Sequence, residues 1–118
     1  MNKLLYTLVL FIALTSCIDN NQKKVIYIAT GSVSAYNLQY LNANGELIST
    51  EVVPESAQDR WTYEYMVDDG DIVFFSGYYK DINSSLNLMI NVDGKVYKQI
   101  SSSHDTLSIL TVSGTIPY

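Results

Sequence analysis

With Cys17 as its only cysteine, the chain can form no internal disulfide, and packing alone must hold its core. Histidine is equally scarce. His104 stands alone, and one imidazole and one thiol fall short of the three or four ligands a zinc site needs. Basic residues are few: 7 Lys and Arg stand against 12 Asp and Glu, a net charge of −5. Without Lys and Arg clusters to neutralise phosphates, nucleic acid is not an expected partner. Catalytic patterns are missing as well. His104 and Asp105 are adjacent, and neighbours on a strand point to opposite faces, so they could cooperate only in a loop. Ser101 to Ser103 lack the Gly-x-Ser-x-Gly elbow that exposes a nucleophile. Asp68-Asp69-Gly70-Asp71 lacks the alternating acids and distal Glu of an EF-hand loop, and its composition is that of a tight turn. No enzyme activity, metal or cofactor is therefore expected. Also absent are internal repeats and any Gly/Ser-rich or Pro-rich linker after residue 24, so one domain is expected.

The longest apolar run, from Leu4 to Leu14, is interrupted only by Tyr6 and Thr7 and follows Met1-Asn2-Lys3. It extends no further than Ile18, short of the roughly 20 apolar residues of a membrane-spanning helix. A basic start, an apolar core and small residues before a cleavage point describe a secretory signal over residues 1–16. Leu14-Thr15-Ser16-Cys17 resembles the lipobox of bacterial lipoproteins, in which the cysteine becomes the lipidated first residue. That resemblance implies an acylated Cys17, a short polar tether over residues 17–24 and a domain over 25–118 held close to a bilayer. It also accounts for an unpaired cysteine in an exported chain. The residue after the cysteine is Ile18 rather than Asp, which implies the outer membrane where envelopes sort that way. Lys23 and Lys24 are positioned to face anionic headgroups.

From Val25 onward the chain reads as strands. Val25–Thr30 is β-branched and aromatic and ends at Gly31. Ala35–Tyr40 alternates, with Tyr36, Leu38 and Tyr40 on one face. Asn42-Ala43-Asn44-Gly45 supplies a hairpin turn. Leu47–Val53 returns and Pro54 ends it, and Glu55–Asp59 could form one helical turn. Arg60–Val67 puts Trp61, Tyr63, Tyr65 and Val67 on one side. Ile72–Tyr79 is apolar on both faces, the pattern of a central or doubly covered strand. Leu86–Val92 and Lys95–Ile100 flank Asp93-Gly94. Parity there predicts a three-residue turn, Val92-Asp93-Gly94, with a left-handed Gly94 forming a G1 bulge. Ile90 would then face Val96, and Leu86 would face Ile100. Leu107–Val112 is the last strand. Seven or eight strands with turn signals at about 8–12-residue spacing predict an all-β, immunoglobulin-like antiparallel β-sandwich. A closed up-and-down barrel is the alternative.

The conspicuous surplus is aromatic: 10 tyrosines and a single tryptophan. Most suit half-buried strand positions. Trp61, Tyr78 and Tyr79 are the candidates for a partner or ligand surface, since the adjacent Tyr78 and Tyr79 must point to opposite faces. Aromatic faces on a sheet can stack on sugar rings or dock a protein.

Tyr27-Ile28-Ala29-Thr30-Gly31, Asn37-Leu38-Gln39-Tyr40, Trp61 and Leu88-Met89-Ile90-Asn91-Val92-Asp93-Gly94-Lys95-Val96 resemble small envelope proteins of the MmpS type (mycobacterial membrane protein, small) and related lipoproteins with immunoglobulin-like or transthyretin-like sandwiches. Where that family has Leu-Pro-Trp near its middle, Glu55 to Arg60 here separate Pro54 from Trp61. The resemblance implies an accessory, non-catalytic role in an envelope transport or assembly complex, with a protein partner. A glycan-binding surface module using the exposed aromatics is the competing expectation.

Overall fold

Eight strands carry the chain: β1 (Gln22–Thr30), β2 (Tyr36–Leu41), β3 (Leu47–Val52), β4 (Arg60–Asp68), β5 (Ile72–Tyr79), β6 (Ser85–Val92), β7 (Lys95–Ser103) and β8 (Leu110–Thr115). They belong to a computed structural model that describes residues 22–107 and 109–117. The signal, its Leu14-Thr15-Ser16 motif and Cys17 lie outside the described residues. No helix occurs among the described residues. The strands form two antiparallel four-stranded sheets, ordered β4-β1-β6-β7 and β3-β2-β5-β8. This is the all-β, antiparallel two-sheet sandwich that the alternation predicts. In the observed order β1 lies inside its sheet, paired on both sides with β4 and β6.

Alternation places one face of each sheet in the core. Val25, Tyr27 and Ala29 of β1 point inward with Leu86, Leu88 and Ile90 of β6. Tyr36 and Leu38 of β2 meet them from the second sheet, with Val73, Phe75 and Tyr79 of β5 and Leu110 and Val112 of β8. The sheets approach closely enough at Gly77 that a Cβ there would sit 2.9 Å from Leu38 Cδ2 and 3.1 Å from Leu86 Cδ2. Glycine is therefore required at that point by packing, in the middle of a strand.

Every connection from an odd-numbered to an even-numbered strand crosses between the sheets, and all four do so at one end of the sandwich. We call this the far end. At the near end lie the start of β1, the tight β2–β3 and β6–β7 turns, and the β4–β5 turn. The β4–β5 turn is sealed by hydrogen bonds between Ile116 and both Gly70 (2.9 Å) and Asp71 (2.8 Å).

Several local expectations are corrected. β1 begins at Gln22, so the sandwich takes in residues assigned to the tether: Gln22 pairs with Asp68, Lys23 with Val67 and Lys24 with Met66. The two lysines face carboxylates of their own chain, since Lys23 lies 3.2 Å from Asp69 and Lys24 lies 2.7 Å from Glu64. Lys23 also donates to the Pro117 carbonyl. The β6–β7 turn has two residues, with positive φ at both Asp93 (50°) and Gly94 (81°), as a type I′ turn requires. The register is corrected further along: Asn91 faces Val96, but Ile90 faces Lys98 and Leu88 faces Ile100, leaving Tyr97 as the extra residue of a bulge. Adding one residue there returns Ile100 to the face of Leu88. Bulging also turns Tyr97 over Gly114 of β8, where its hydroxyl donates to the Thr115 carbonyl at 2.8 Å and closes that side of the sandwich. Gly94 is left-handed as expected, as the second residue of the two-residue turn, and Gly45 of the β2–β3 hairpin is left-handed too. There the Gly45 N–H bonds the Asn42 carbonyl, and Asn42 Oδ1 accepts from Asn44 and Glu46.

The last strand starts at Leu110 rather than Leu107, because Asp105 Oδ1 captures the Leu107 N–H at 3.0 Å and holds that stretch in a turn. Glu55–Asp59 forms a bend without helix, tied by Asp59 to the Glu55 N–H at 2.6 Å. β5 is central in its sheet, as expected. Its outer face is not covered: Phe74 is half-buried and Tyr78 is exposed.

Candidate binding surface

Inward-facing Trp61, Tyr63 and Tyr65 of β4 meet Tyr27, Tyr40 and Phe75 in one continuous cluster. Ring centroids lie 5.1 Å apart for Tyr27–Phe75 and for Tyr40–Trp61, and 5.8 Å apart for Trp61–Phe75. At its centre the Tyr27 hydroxyl donates to the Leu41 carbonyl (2.9 Å) and accepts from Tyr65 (2.6 Å). Burial raises the pKa of both phenols above the ordinary value of 10.0, and for Tyr65 the hydrogen bond to Tyr27 adds to the rise. Much of the aromatic surplus is thus core.

This placement separates the three aromatic candidates. Trp61 is half-buried on the inner face of the first sheet, packed on Tyr40 and Phe75. Tyr79 is 1% exposed; its hydroxyl lies 3.2 Å from Ser102 Oγ and accepts from the Asp105 N–H at 3.1 Å. Tyr78, 39% exposed, is the most open of the three and stands on the outer face of the second sheet. The three rings share no face: Tyr78 and Tyr79 point to opposite sides of β5, as expected, and Tyr78 is the candidate on an outer face.

That ring stands in a depression of about 370 Å³. Two cross-strand rows form it. Glu51 of β3, Asn37 of β2 and Tyr78 of β5 are direct partners across the ladders, and Ser49, Gln39 and Ser76 make the next row. Small Ser76 leaves the floor low between Gln39 and the Tyr78 wall, and Ile109 completes the lining. Gln39 Nε2 lies 3.5 Å from Ser49 Oγ. Among the described residues, no side chain bonds the Asn37 amide, the Glu51 carboxylate or the Tyr78 hydroxyl.

Above the depression lies the far end. Its four connections each present an exposed apolar side chain: Val33, Val53, Ile82 and, between β7 and β8, Leu107 and Ile109. Three of these connections are joined through buried Ser84. Its hydroxyl lies 2.9 Å from that of buried Ser32 and accepts from the Val33 N–H at 3.2 Å, while its carbonyl takes the His104 N–H at 3.1 Å. His104 Nδ1 lies 2.9 Å from the Ile82 carbonyl, and its backbone is left-handed, with φ 57°. The imidazole thus fastens one loop to another. Among the described residues, no three His, Cys, Asp or Glu side chains are grouped to hold a metal ion.

No family model matches this chain, and no curated protein matches it in sequence.

Sequence reasoning named Tyr78 and missed the polar residues around it. Asn37 and Gln39 were legible as the outward face of their strand, opposite Tyr36, Leu38 and Tyr40. What the sequence does not disclose is that β2 lies between β3 and β5, which brings Glu51, Asn37 and Tyr78 into line.

Proposed function

We propose that this chain is a non-catalytic, lipid-anchored module of the bacterial envelope that binds a protein partner with the far end of its sandwich. The observation that carries the reading is the rim of Val33, Val53, Ile82, Leu107 and Ile109, with Leu107 95% and Val53 71% exposed. Single exposed apolar side chains are ordinary on any surface. Here one stands in every connection of one end, on loops fixed by hydrogen bonds, so binding would cost little ordering of the backbone. A second exposed group, Leu47, Met66, Ile72 and Val96, lies toward the near end. An acylated Cys17 would turn that end to the bilayer and leave the rim facing away from it. The lipobox-like motif and the resemblance to small accessory envelope proteins support the same assignment, with an outer-membrane location.

Crosslinking in intact cells tests the reading, using full-length protein and an Ile82→Glu/Leu107→Glu variant. One dominant envelope neighbour is expected for the native chain, lost in the variant at unchanged melting temperature. Recovery of the same neighbour by both proteins, or of none by either, would count against it. Intact-mass analysis of the mature protein should find Cys17 acylated, and Cys17→Ala should shift the protein to the soluble fraction.

A further inference from the structure

The outer-face depression is chemically unlike the apolar rim. We propose that it is a carbohydrate subsite in which Tyr78 stacks on a neutral sugar ring whose hydroxyls hydrogen-bond Asn37, Gln39 and Glu51. The inference stands apart from the protein-partner reading, because it rests on the polar rows of β2, β3 and β5 and shares only Ile109 with the rim.

The arrangement selects its ligand by elimination. Among the described residues of the lining, Glu51 is the only ionisable side chain apart from the Tyr78 phenol, and no basic residue accompanies it. A phosphate, a sulfated sugar or a uronic acid would bring negative charge beside a carboxylate with nothing to balance it. An apolar ligand would strip water from Glu51, Asn37 and Gln39 and return no hydrogen bonds, at about 1–3 kcal/mol per orphaned group. An extended peptide needs partners for its own backbone, but β2 already has a ladder on both sides and β5 pairs with both β2 and β8. This face therefore offers side chains only.

A neutral ring carrying adjacent hydroxyls meets the remaining requirements. The Asn37 amide presents both donors and an acceptor, Gln39 keeps its carbonyl and the N–H not turned to Ser49, and the carboxylate accepts at two oxygens, so neighbouring hydroxyls can be read in pairs. Asn37 is one strand from Glu51 and one strand from Tyr78, with strands about 4.8 Å apart. A ring lying over Asn37 can thus reach the carboxylate on one side and the phenol on the other. The Tyr78 ring and Ile109 supply an apolar contact for the C–H face, and the phenol keeps a polar tip at the edge. The 370 Å³ volume is at the small end of the range for ligand sites, about 300–1,000 Å³.

Isothermal titration of the full-length protein decides the matter. The probes are hexasaccharides of α-1,4-glucose, β-1,4-glucose, β-1,4-N-acetylglucosamine, α-1,6-mannose and β-1,4-galactose, with hexagalacturonate as the anionic control. Binding of at least one neutral hexasaccharide is expected, with none of hexagalacturonate. Tyr78→Ala should weaken that binding about tenfold, which is about 1.4 kcal/mol, and Asn37→Ala and Glu51→Gln should weaken it severalfold. Because Tyr78 and Glu51 are exposed, their replacement should leave the melting temperature unchanged, which separates lost binding from lost folding. Three results would each overturn the proposal: no neutral probe binding at millimolar concentration, binding unchanged by Tyr78→Ala, or preference for the anionic oligomer. Ile82→Glu/Leu107→Glu should leave sugar binding intact, so either reading can fail without the other.

Discussion

Three polar groups converge on the oxygen of Tyr27, inside a cluster of rings: the Leu41 carbonyl, the Tyr65 hydroxyl and, at 3.4 Å, the Phe74 N–H. Tyr65→Phe removes the donor while keeping the ring, and should cost about 1 kcal/mol in chemical denaturation. The same pair sets an alkaline limit. Both phenols have folded pKa values raised above 10.0. The folded state therefore holds its phenolic protons where the unfolded chain releases them. Their contribution is complete below pH 10 and declines as pH rises beyond it. Urea midpoints should be level up to that point and fall above it, with a shallower fall in Tyr65→Phe. Ser84 is the corresponding point at the far end. Ser84→Ala leaves buried Ser32 and the Val33 N–H without that partner; a loss of about 1–2 kcal/mol is expected, with faster amide exchange at Val33 and His104.

At the scale of the strand, alternation carried most of the information. Ile72–Tyr79 was legible to the residue, and β2, β3, β4 and β6 to within one residue at either end. Exceptions arose where a distant partner decides the matter. β1 extends back to Gln22 because β4 runs long enough to pair with it, and nothing in Gln22-Lys23-Lys24 by itself calls for a strand. The β6–β7 register was argued from local parity, which can be satisfied by a longer turn or by a bulge further on. The ring slot over Gly114 of β8 gives the Tyr97 bulge its use, and that slot is made by another sheet. The site was legible only in part for the same reason: outward positions can be read from a strand, but which strands lie side by side cannot. At the turn itself, Gly94 holds φ 81° in open space. Gly94→Ala should therefore cost about 1 kcal/mol through the backbone alone, and Gly94→Asn less, as equilibrium unfolding can show.

For the molecule as a whole, stability rests on one interleaved core without covalent cross-links. Leu88 and Ile90 are fully buried between the sheets, and Leu88→Ala should cost about 2–5 kcal/mol. Gly77→Ala presses a methyl group against two leucines and the Asn37 carbonyl at 3.1 Å, so a loss of about 1–3 kcal/mol is expected. Both are measurable as shifts of the denaturation midpoint.

The interior position of β1 has a mechanical consequence. Tension applied to its N-terminal side and resisted at the opposite loops runs along the strand axis. The backbone bonds to β4 on one flank and β6 on the other would then be loaded in shear, many together, instead of being unzipped one after another. Were Cys17 acylated and the far end bound as proposed, such a fold would transmit a sustained pull from one to the other before giving way.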